Sequence, residues 1–376
     1  MTFQLNYIFG IIVLCMSLVY AQDSETPESP GICITPDGQA GVCVDIKECK
    51  SLYAILTNQD ITDADKTFLR DRHCGFVNGT AAVCCDLETK RDTRSVSTVN
   101  NLLPKPEEGK CGRETSKHRL LGGQLAQLDE YPWMVRLQYK TEDNDFKYFC
   151  GGSLINDRYV MTAAHCVRNP GSFVLNGVRV GEYDTSKDHD CIGGECLPKV
   201  QDILVEETIL HPEYNSRKHK NDIALLRLKE PVQLNEFIQP ICLPFSEQFK
   251  TNTFDGKRLY TSGWGTAGGG TGTPINIKQN TQFVGVNNEK CNEIYSSHNI
   301  DVGQDQLCAS PKNGIDDSCK SDSGAPLMTQ DPKSNKGNWY AVGVLSFGSR
   351  CGQTDWPDVF VRVSEYLDWI SQTVKA

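Results

Sequence analysis

Cysteine sets the terms on which this chain can fold. It carries 17 cysteines in 376 residues, and one of them, Cys15, falls in an apolar N-terminal run. The remainder is an even set, and even sets in exported chains form disulfides rather than free thiols. No Cys-x-x-Cys pair occurs, which argues against zinc. Six of the cysteines crowd together at Cys33, Cys43, Cys49, Cys74, Cys84 and Cys85, in a stretch with few large apolar residues. Such a stretch cannot fold on a core alone and needs covalent staples. Spacing leaves about fifteen connectivities open. The adjacent Cys84 and Cys85 force two bridges to leave neighbouring residues in different directions.

Export is read from "MTFQLNYIFGIIVLCMSLVYA", residues 1–21. Tyr7 to Tyr20 is uncharged and mostly apolar, and Val19 and Ala21 offer small residues for cleavage after Ala21. No Lys or Arg precedes the run. The competing reading is a membrane anchor, but the run is short for a bilayer span and no later segment is apolar enough. The expected location is therefore secreted and extracellular. A net charge of −10 argues against nucleic-acid binding by bulk electrostatics.

Asn78-Gly79-Thr80, within the six-cysteine stretch, is a glycosylation sequon. Residues 86–110 are polar, contain Arg91, Arg94, Pro104, Lys105, Pro106 and Lys110, and show no sustained apolar period. They read as a linker open to proteolysis. From Leu120 onward the pattern is β. "WMVRLQY" (133–139) alternates, "YAVGVLSFG" (340–348) is an apolar strand ending in a glycine turn, and Gly/Pro turns recur at short spacing. This suggests an all-β barrel or sandwich. One helix is expected, "SEYLDWISQTVK" (364–375), capped by Ser364 with Leu367, Ile370 and Val374 on one face. "GTAGGGTG" (265–272) lacks the Lys and helix start of a phosphate loop and reads as a flexible loop.

Three short stretches carry chemistry. "TAAHC" sets His165 beside Cys166, "NDIALLRL" puts Asp222 before an apolar strand, and "DSCKSDSGAPL" sets Ser323 among small residues. Serine is a weak nucleophile unless a base lies in hydrogen-bond reach, and that base needs a carboxylate to fix its tautomer. His, Asp, Ser is a known chain order for this arrangement.

On these motifs residues 120–376 resemble the trypsin-like, chymotrypsin-fold serine proteases. Residues 33–85, with their cysteine spacing and terminal Cys-Cys, resemble a clip domain. Together they look like an arthropod clip-domain serine protease zymogen. The resemblance implies two antiparallel six-stranded β-barrels with a C-terminal helix, preceded by a small disulfide-rich clip domain. The implied division is a signal peptide at 1–21, a clip domain at 32–85, a linker and activation segment at 86–119, and a protease domain at 120–376.

Carried over by position, the resemblance makes His165 the general base, Asp222 its orienting partner and Ser323 the nucleophile, with the N–H groups of Ser321 and Ser323 as the oxyanion hole. It implies the disulfides Cys33–Cys84, Cys43–Cys74, Cys49–Cys85, Cys111–Cys242, Cys150–Cys166, Cys291–Cys308 and Cys319–Cys351, which leaves Cys191 and Cys196 to close a local loop. In "SKHRLLGG" it implies activation by cleavage after Arg119, freeing the amino group of Leu120 to pair with Asp322. Asp317 would be the floor of a pocket for Arg or Lys, with Gly348 in its wall and Ser346 to Gly348 pairing with substrate backbone. "GEYDTSKDHD" resembles the family's calcium loop, with Glu182, Asp184 and Asp190 as oxygen donors. The competing reading is a solvated acidic loop.

The chain departs from the family pattern at several points. Ser321 and Ala325 replace glycines around the nucleophile, leucines occupy 120 and 121, and Asp358 stands where the family has a pocket-wall glycine. Asp358 either lines the pocket, where a second carboxylate raises one pKa until a bound cation relieves the repulsion, or faces solvent after Pro357. The resemblance implies a secreted zymogen in a haemolymph cascade of melanisation (prophenoloxidase activation) or Toll-ligand processing. Its partners would be a protein substrate, an upstream trypsin-like activator and a serpin inhibitor, with no nucleic acid and no membrane. The alternative is a weak or non-catalytic homologue that acts as a cascade adaptor.

Overall fold

The computed structural model describes residues 32–35, 40–56, 63–77, 80–86, 102–114, 126–168, 173–192, 194–267, 273–312, 322–331, 337–348 and 356–376. Its contacts divide the chain into two units, Met1–Ser95 and Val96–Ala376.

The first unit is a four-stranded antiparallel sheet with two helices. Its strands are β1 (Ile32–Ile34), β2 (Ala40–Asp45), β3 (His73–Val77) and β4 (Thr80–Asp86), in spatial order β1-β2-β4-β3. Helices α1 (Lys50–Leu56) and α2 (Asp63–Asp71) fall between β2 and β3. The apolar core is small: Ile46, Cys49, Leu52, Leu69 and Val83. Disulfides Cys33–Cys84, Cys43–Cys74 and Cys49–Cys85 supplement it. Cys84 and Cys85 are consecutive on β4, so strand alternation alone sends their bridges to opposite faces.

The second unit holds two closed six-stranded barrels. In the first, β5 (Met134–Lys140), β6 (Phe146–Leu154), β7 (Tyr159–Thr162), β8 (Val174–Val180), β9 (Gln201–Leu210) and β10 (Ala224–Leu228) close in the order β9-β10-β7-β6-β5-β8. In the second, β11 (Arg258–Gly263), β12 (Gln279–Val286), β13 (Gln306–Pro311), β14 (Pro326–Gln330), β15 (Trp339–Phe347) and β16 (Asp358–Arg362) close in the order β11-β12-β13-β16-β15-β14. Closure satisfies the edge hydrogen bonds that open sheets leave bare. Leu137, Leu154, Met161 and Leu225 fill the first barrel; Phe283, Leu307, Leu327 and Phe360 fill the second.

Two local expectations are corrected. The C-terminal α-helix runs over Leu367–Thr373 and buries Leu367, Ile370 and Val374, but Ser364 does not cap it. Ser364 lies in a preceding 3-10 turn, Val363–Tyr366, and its hydroxyl is buried without a hydrogen-bond partner. The unit also holds a longer helix outside that expectation, Asn288–Tyr295, which Asn287 caps by accepting from the Lys290 N–H at 2.9 Å.

Residues 102–114 belong to the second unit despite their polar composition. Leu103 is buried in its core. Asn156 Nδ2 donates to Leu102 O at 3.0 Å, and Asn338 Nδ2 donates to Pro106 O at 3.1 Å. Gly112 N–H donates to Pro240 O and accepts at its own carbonyl from Trp339 N–H, both at 2.8 Å, beside the Cys111–Cys242 disulfide. The segment is held by backbone groups, the Cys111 disulfide and the adjacent apolar side chains of Leu102 and Leu103, which no periodicity reveals. Leu103→Ala is expected to cost about 2–5 kcal/mol, read as a lowered unfolding midpoint of the second unit in denaturant.

Candidate active site

Strand pairing brings the candidate base and its carboxylate together. Ala224 on β10 pairs with Thr162 on β7 in antiparallel register. His165 lies three residues beyond Thr162, on a one-turn helix Ala164–Val167, and Asp222 lies two residues before Ala224. Both therefore emerge at the same end of the first barrel. Asp222 is 4% exposed. Its Oδ1 accepts the His165 backbone N–H at 2.8 Å. Its Oδ2 accepts from His165 Nδ1 at 2.8 Å and from Ser346 Oγ at 2.5 Å. Burial pushes the Asp222 carboxyl up, but the hydrogen bonds from His165 and Ser346 outweigh it and hold the group below the ordinary carboxylate range. The ionised carboxylate fixes the imidazole with its proton on Nδ1 and leaves Nε2 as the free base nitrogen.

The Ser323 loop is anchored beside this pair. Gly151 N–H donates to Ser323 O at 2.8 Å, and Gly324 N–H donates to Leu345 O at 2.9 Å. Gly151 follows Cys150, whose disulfide to Cys166 reaches the residue after His165. Gly324 has φ +82°, and a Cβ there would lie 2.3 Å from Thr162 Oγ1 and 2.6 Å from Gly151 O. Only glycine allows the loop to lie this close to β6 and β7. Ala325 is fully buried, so its methyl group replaces the family glycine as part of the core. Among the described residues no hydrogen bond joins Ser323 Oγ to His165. The imidazole Nε2 lies 3.6 Å from Cys166 Sγ.

Asp322 follows the loop inward. Its Oδ2 accepts the Trp264 N–H at 2.8 Å. Burial pushes its carboxyl above the usual range, opposed by that hydrogen bond and by the charge of Arg136. Arg136 lies over the rings of Tyr148, at 4.4 Å, and Trp264, at 5.3 Å.

Ser346 does more than the sequence reading gave it. It was read as strand backbone for substrate, yet its buried hydroxyl is committed to Asp222. No local motif around "LSF" signals this, because the partner is 124 positions away. Asp358 does not face solvent. It is 7% exposed, and its Oδ1 lies 1.9 Å from where a Cβ on Gly348 would stand. Asp317, Ser321, Arg119, Leu120, Asn78 and the pair Cys319–Cys351 lie outside the described residues, as does the leader.

Glu182, Asp184 and Asp190 are all buried. Glu182 pairs with Arg179 at 3.2 Å, and Asp184 pairs with Lys187 at 2.7 Å. Asp190 Oδ2 accepts the Asp184 N–H at 3.1 Å, while its Oδ1 is buried without a partner. An orphaned, buried hard oxygen among acidic neighbours fits a calcium ligand set in donor chemistry, although Lys187 holds the Asp184 carboxylate. Among the described residues, the groups of three whose donor atoms all lie within 4.8 Å of one another are Cys150, His165 and Cys166, and His189, Cys191 and Cys196, so the oxygens of the acidic trio are not gathered this tightly. Their sulfurs are tied in the Cys150–Cys166 and Cys191–Cys196 disulfides, which removes the thiolates a metal would need. Cys291–Cys308 completes the described disulfides of this unit.

The family pattern described as Trypsin matches residues 120–370, and that of the Regulatory CLIP domain of proteinases matches residues 33–85. The chain belongs to the clip-domain, trypsin-like serine proteases. It is 38% identical to Serine protease ea of Drosophila melanogaster over 92% of this chain and 91% of that one. It is 37% identical to Melanization protease 1 of the same organism, over 98% and 99%, and 37% identical to Phenoloxidase-activating factor 3 of Holotrichia diomphalia, over 91% and 93%. The crystal structure of the Drosophila Grass clip serine protease of the Toll pathway matches 92% of this chain and 98% of its own, with a TM-score of 0.65 and 29% identity. As a member of this family the protein is a serine endopeptidase. No helix among the described residues is long and apolar enough to cross a membrane.

The Asp322 environment gives a test in the uncleaved chain. Its raised pKa means that folding favours the neutral acid, so the ionised group costs stability above the folded pKa and ceases to do so as pH falls through it. Asp322→Asn should therefore melt higher than the parent at pH 8, with the gap narrowing toward pH 4.5. Equal melting temperatures at pH 8 would contradict the assigned environment.

Proposed function

We propose that this clip-domain protease is secreted as an inactive precursor, is cut after Arg119, and then hydrolyses protein substrates after Arg or Lys. The observation that carries the reading is the His165–Asp222–Ser346 network set beside the Ser323 loop. In the reaction, His165 Nε2 takes the proton of Ser323 Oγ as that oxygen attacks the scissile carbonyl. Asp222, held ionised, stabilises the imidazolium that forms. The N–H groups of Ser321 and Ser323 receive the oxyanion, a contribution worth about 10²–10³ in rate per donor in comparable sites. His165 then gives its proton to the leaving amine, and water repeats the sequence on the acyl-enzyme. Backbone from Ser346 to Gly348 pairs with the substrate strand, and Asp317 binds the Arg or Lys side chain.

Activation follows from Asp322. Its buried carboxyl accepts one backbone N–H and is unfavourable as an anion without a close cation. The amino group of Leu120, freed by cleavage, supplies one and draws the loop into its working shape. An upstream trypsin-like protease suits Arg119, and a serpin suits control of an active serine protease. The names of Melanization protease 1, Phenoloxidase-activating factor 3 and Grass of the Toll pathway support a place in an extracellular immune cascade. Arg119→Gln should yield a secreted, inactive protein. Activated wild type should begin Leu-Leu-Gly-Gly, react with a serine-directed phosphonate, and separate into two chains only on reduction, because Cys111–Cys242 joins them. Phosphonate-inert activated protein would favour the adaptor reading.

Calcium is part of this reading. Glu182, Asp184 and Asp190 would supply hard oxygens, with Lys187 yielding the Asp184 carboxylate, and the ion would brace the loop closed by Cys191–Cys196. Millimolar calcium should raise the melting temperature relative to chelator, and Asp190→Asn should abolish the rise. An identical shift in the variant would assign calcium elsewhere.

A further inference from the structure

Asp358 is an ionisable side chain that the mechanism above leaves unused. It opens β16, where Ala309 of β13 lies opposite, and the next residue, Val359, pairs with Phe347 of β15. Its carboxyl is packed against the Cα of Gly348, in the space a side chain there would take. It is 7% exposed, yet it receives no hydrogen bond or ion pair from any described residue. Buried carboxyl groups are nearly always hydrogen-bonded, so one without a donor calls for a ligand or a function.

Among the described residues the surroundings offer no compensating charge. From the helix Asn288–Tyr295 the nearest polar group is the Tyr295 hydroxyl, which donates to Pro357 O at 2.7 Å and so is not available to Asp358. Burial and the Asp358 charge both push that phenol up, which keeps it neutral. Phe347 of β15 and Trp356 pack on the Tyr295 ring at 5.6 Å and 5.0 Å. Beyond those two rings lie the imidazoles of His219 and His298, each 4.6 Å from the ring it contacts. The facing positions Ala309 of β13 and Gly348 carry no charge. Asp317, Arg350 and Asp355 belong to segments outside the described residues. Desolvation raises the Asp358 carboxyl to about 7.

Position gives this group its meaning. Leu345 accepts the Gly324 N–H and donates to Ala325 O, which ties β15 to the nucleophile loop. Ser346 holds Asp222, and Gly348 stands two residues further along the same segment. Asp358 is thus the carboxyl behind the backbone that the substrate would pair with.

We propose that Asp358 is a second anionic anchor for the cationic side chain of the substrate, protonated while the site is empty and ionised when the cation arrives. The inference rests on the Arg/Lys reading and adds to it a proton that leaves on binding. The step balances: the carboxylic acid gives its proton to solvent and the resulting carboxylate pairs with the guanidinium or ammonium. The same proton couples affinity to pH. Below the titration of Asp358 each unit of pH should weaken cation binding about tenfold, and above pH 8 binding should level off.

The test uses the activated protein and p-aminobenzamidine, a fluorescent arginine mimic. Its Kd should rise about fivefold between pH 7 and pH 6, approaching tenfold per unit below that. Calorimetry at pH 6 in buffers of different ionisation enthalpy should show close to one proton released per ligand. In Asp358→Asn the released proton should disappear and the pH dependence flatten. Tight binding with no proton release by wild type, or the same release by the variant, would overturn the proposal and leave the Arg/Lys reading intact. No binding at any pH, with no cleavage of Arg or Lys peptides, would overturn the Arg/Lys reading and this inference with it. The wild-type proton count needs no variant, so it decides the matter even if Asp358→Asn folds poorly.

Discussion

The hydrogen bonds converging on Asp222 tie the site to the whole second unit. Two come from His165, on the same barrel, and one from Ser346, on the other. A buried carboxylate survives only when its desolvation is compensated, and here each donor comes from a rigid element. The network therefore reports on the alignment of both barrels. A shift of β15 relative to the end of β7 would leave an anion buried with one donor missing. The imidazole orientation and the docking of the two barrels are one constraint seen from two sides.

Much of this was legible in the residues. "TAAHC" and "NDIALLRL" identified His165 and Asp222 by type and order, and "YAVGVLSFG" read directly as a strand. The pairing of β7 with β10, which brings those two residues to one end of a barrel, was not legible, because it depends on register between distant segments. The same holds for Ser346, whose neighbours carry no sign of a partner so far along the chain. Residues 102–114 misled for the opposite reason. Their composition is that of a linker, but backbone carbonyls and amides of Leu102, Pro106 and Gly112 do the holding, and composition does not record backbone bonds. In the cysteine-rich unit spacing alone left the connectivity open, and the helices Lys50–Leu56 and Asp63–Asp71 were too short for their periodicity to stand out.

The departures from the family pattern have separate physical accounts. Ala325 adds a methyl group inside the core, beside Gly151 of β6, and so demands only space. Gly324 cannot be changed in the same way, since its backbone conformation and its neighbours both exclude a Cβ. Asp358 trades the open face beside Gly348 for a carboxyl, a change of electrostatics rather than of volume alone. The two substitutions thus act on different terms, one on packing and one on charge.

The disulfide between Cys111 and Cys242 spans a separation of 131 residues and is buried under Asn338. Any single scission of the backbone between those two positions leaves one covalent molecule. The cysteine-rich unit lies upstream of both cysteines, so a cut in that interval leaves it in the same covalent molecule as both barrels. Scission there changes the chain's ends without changing its composition, and only reduction of the bridge turns one molecule into two.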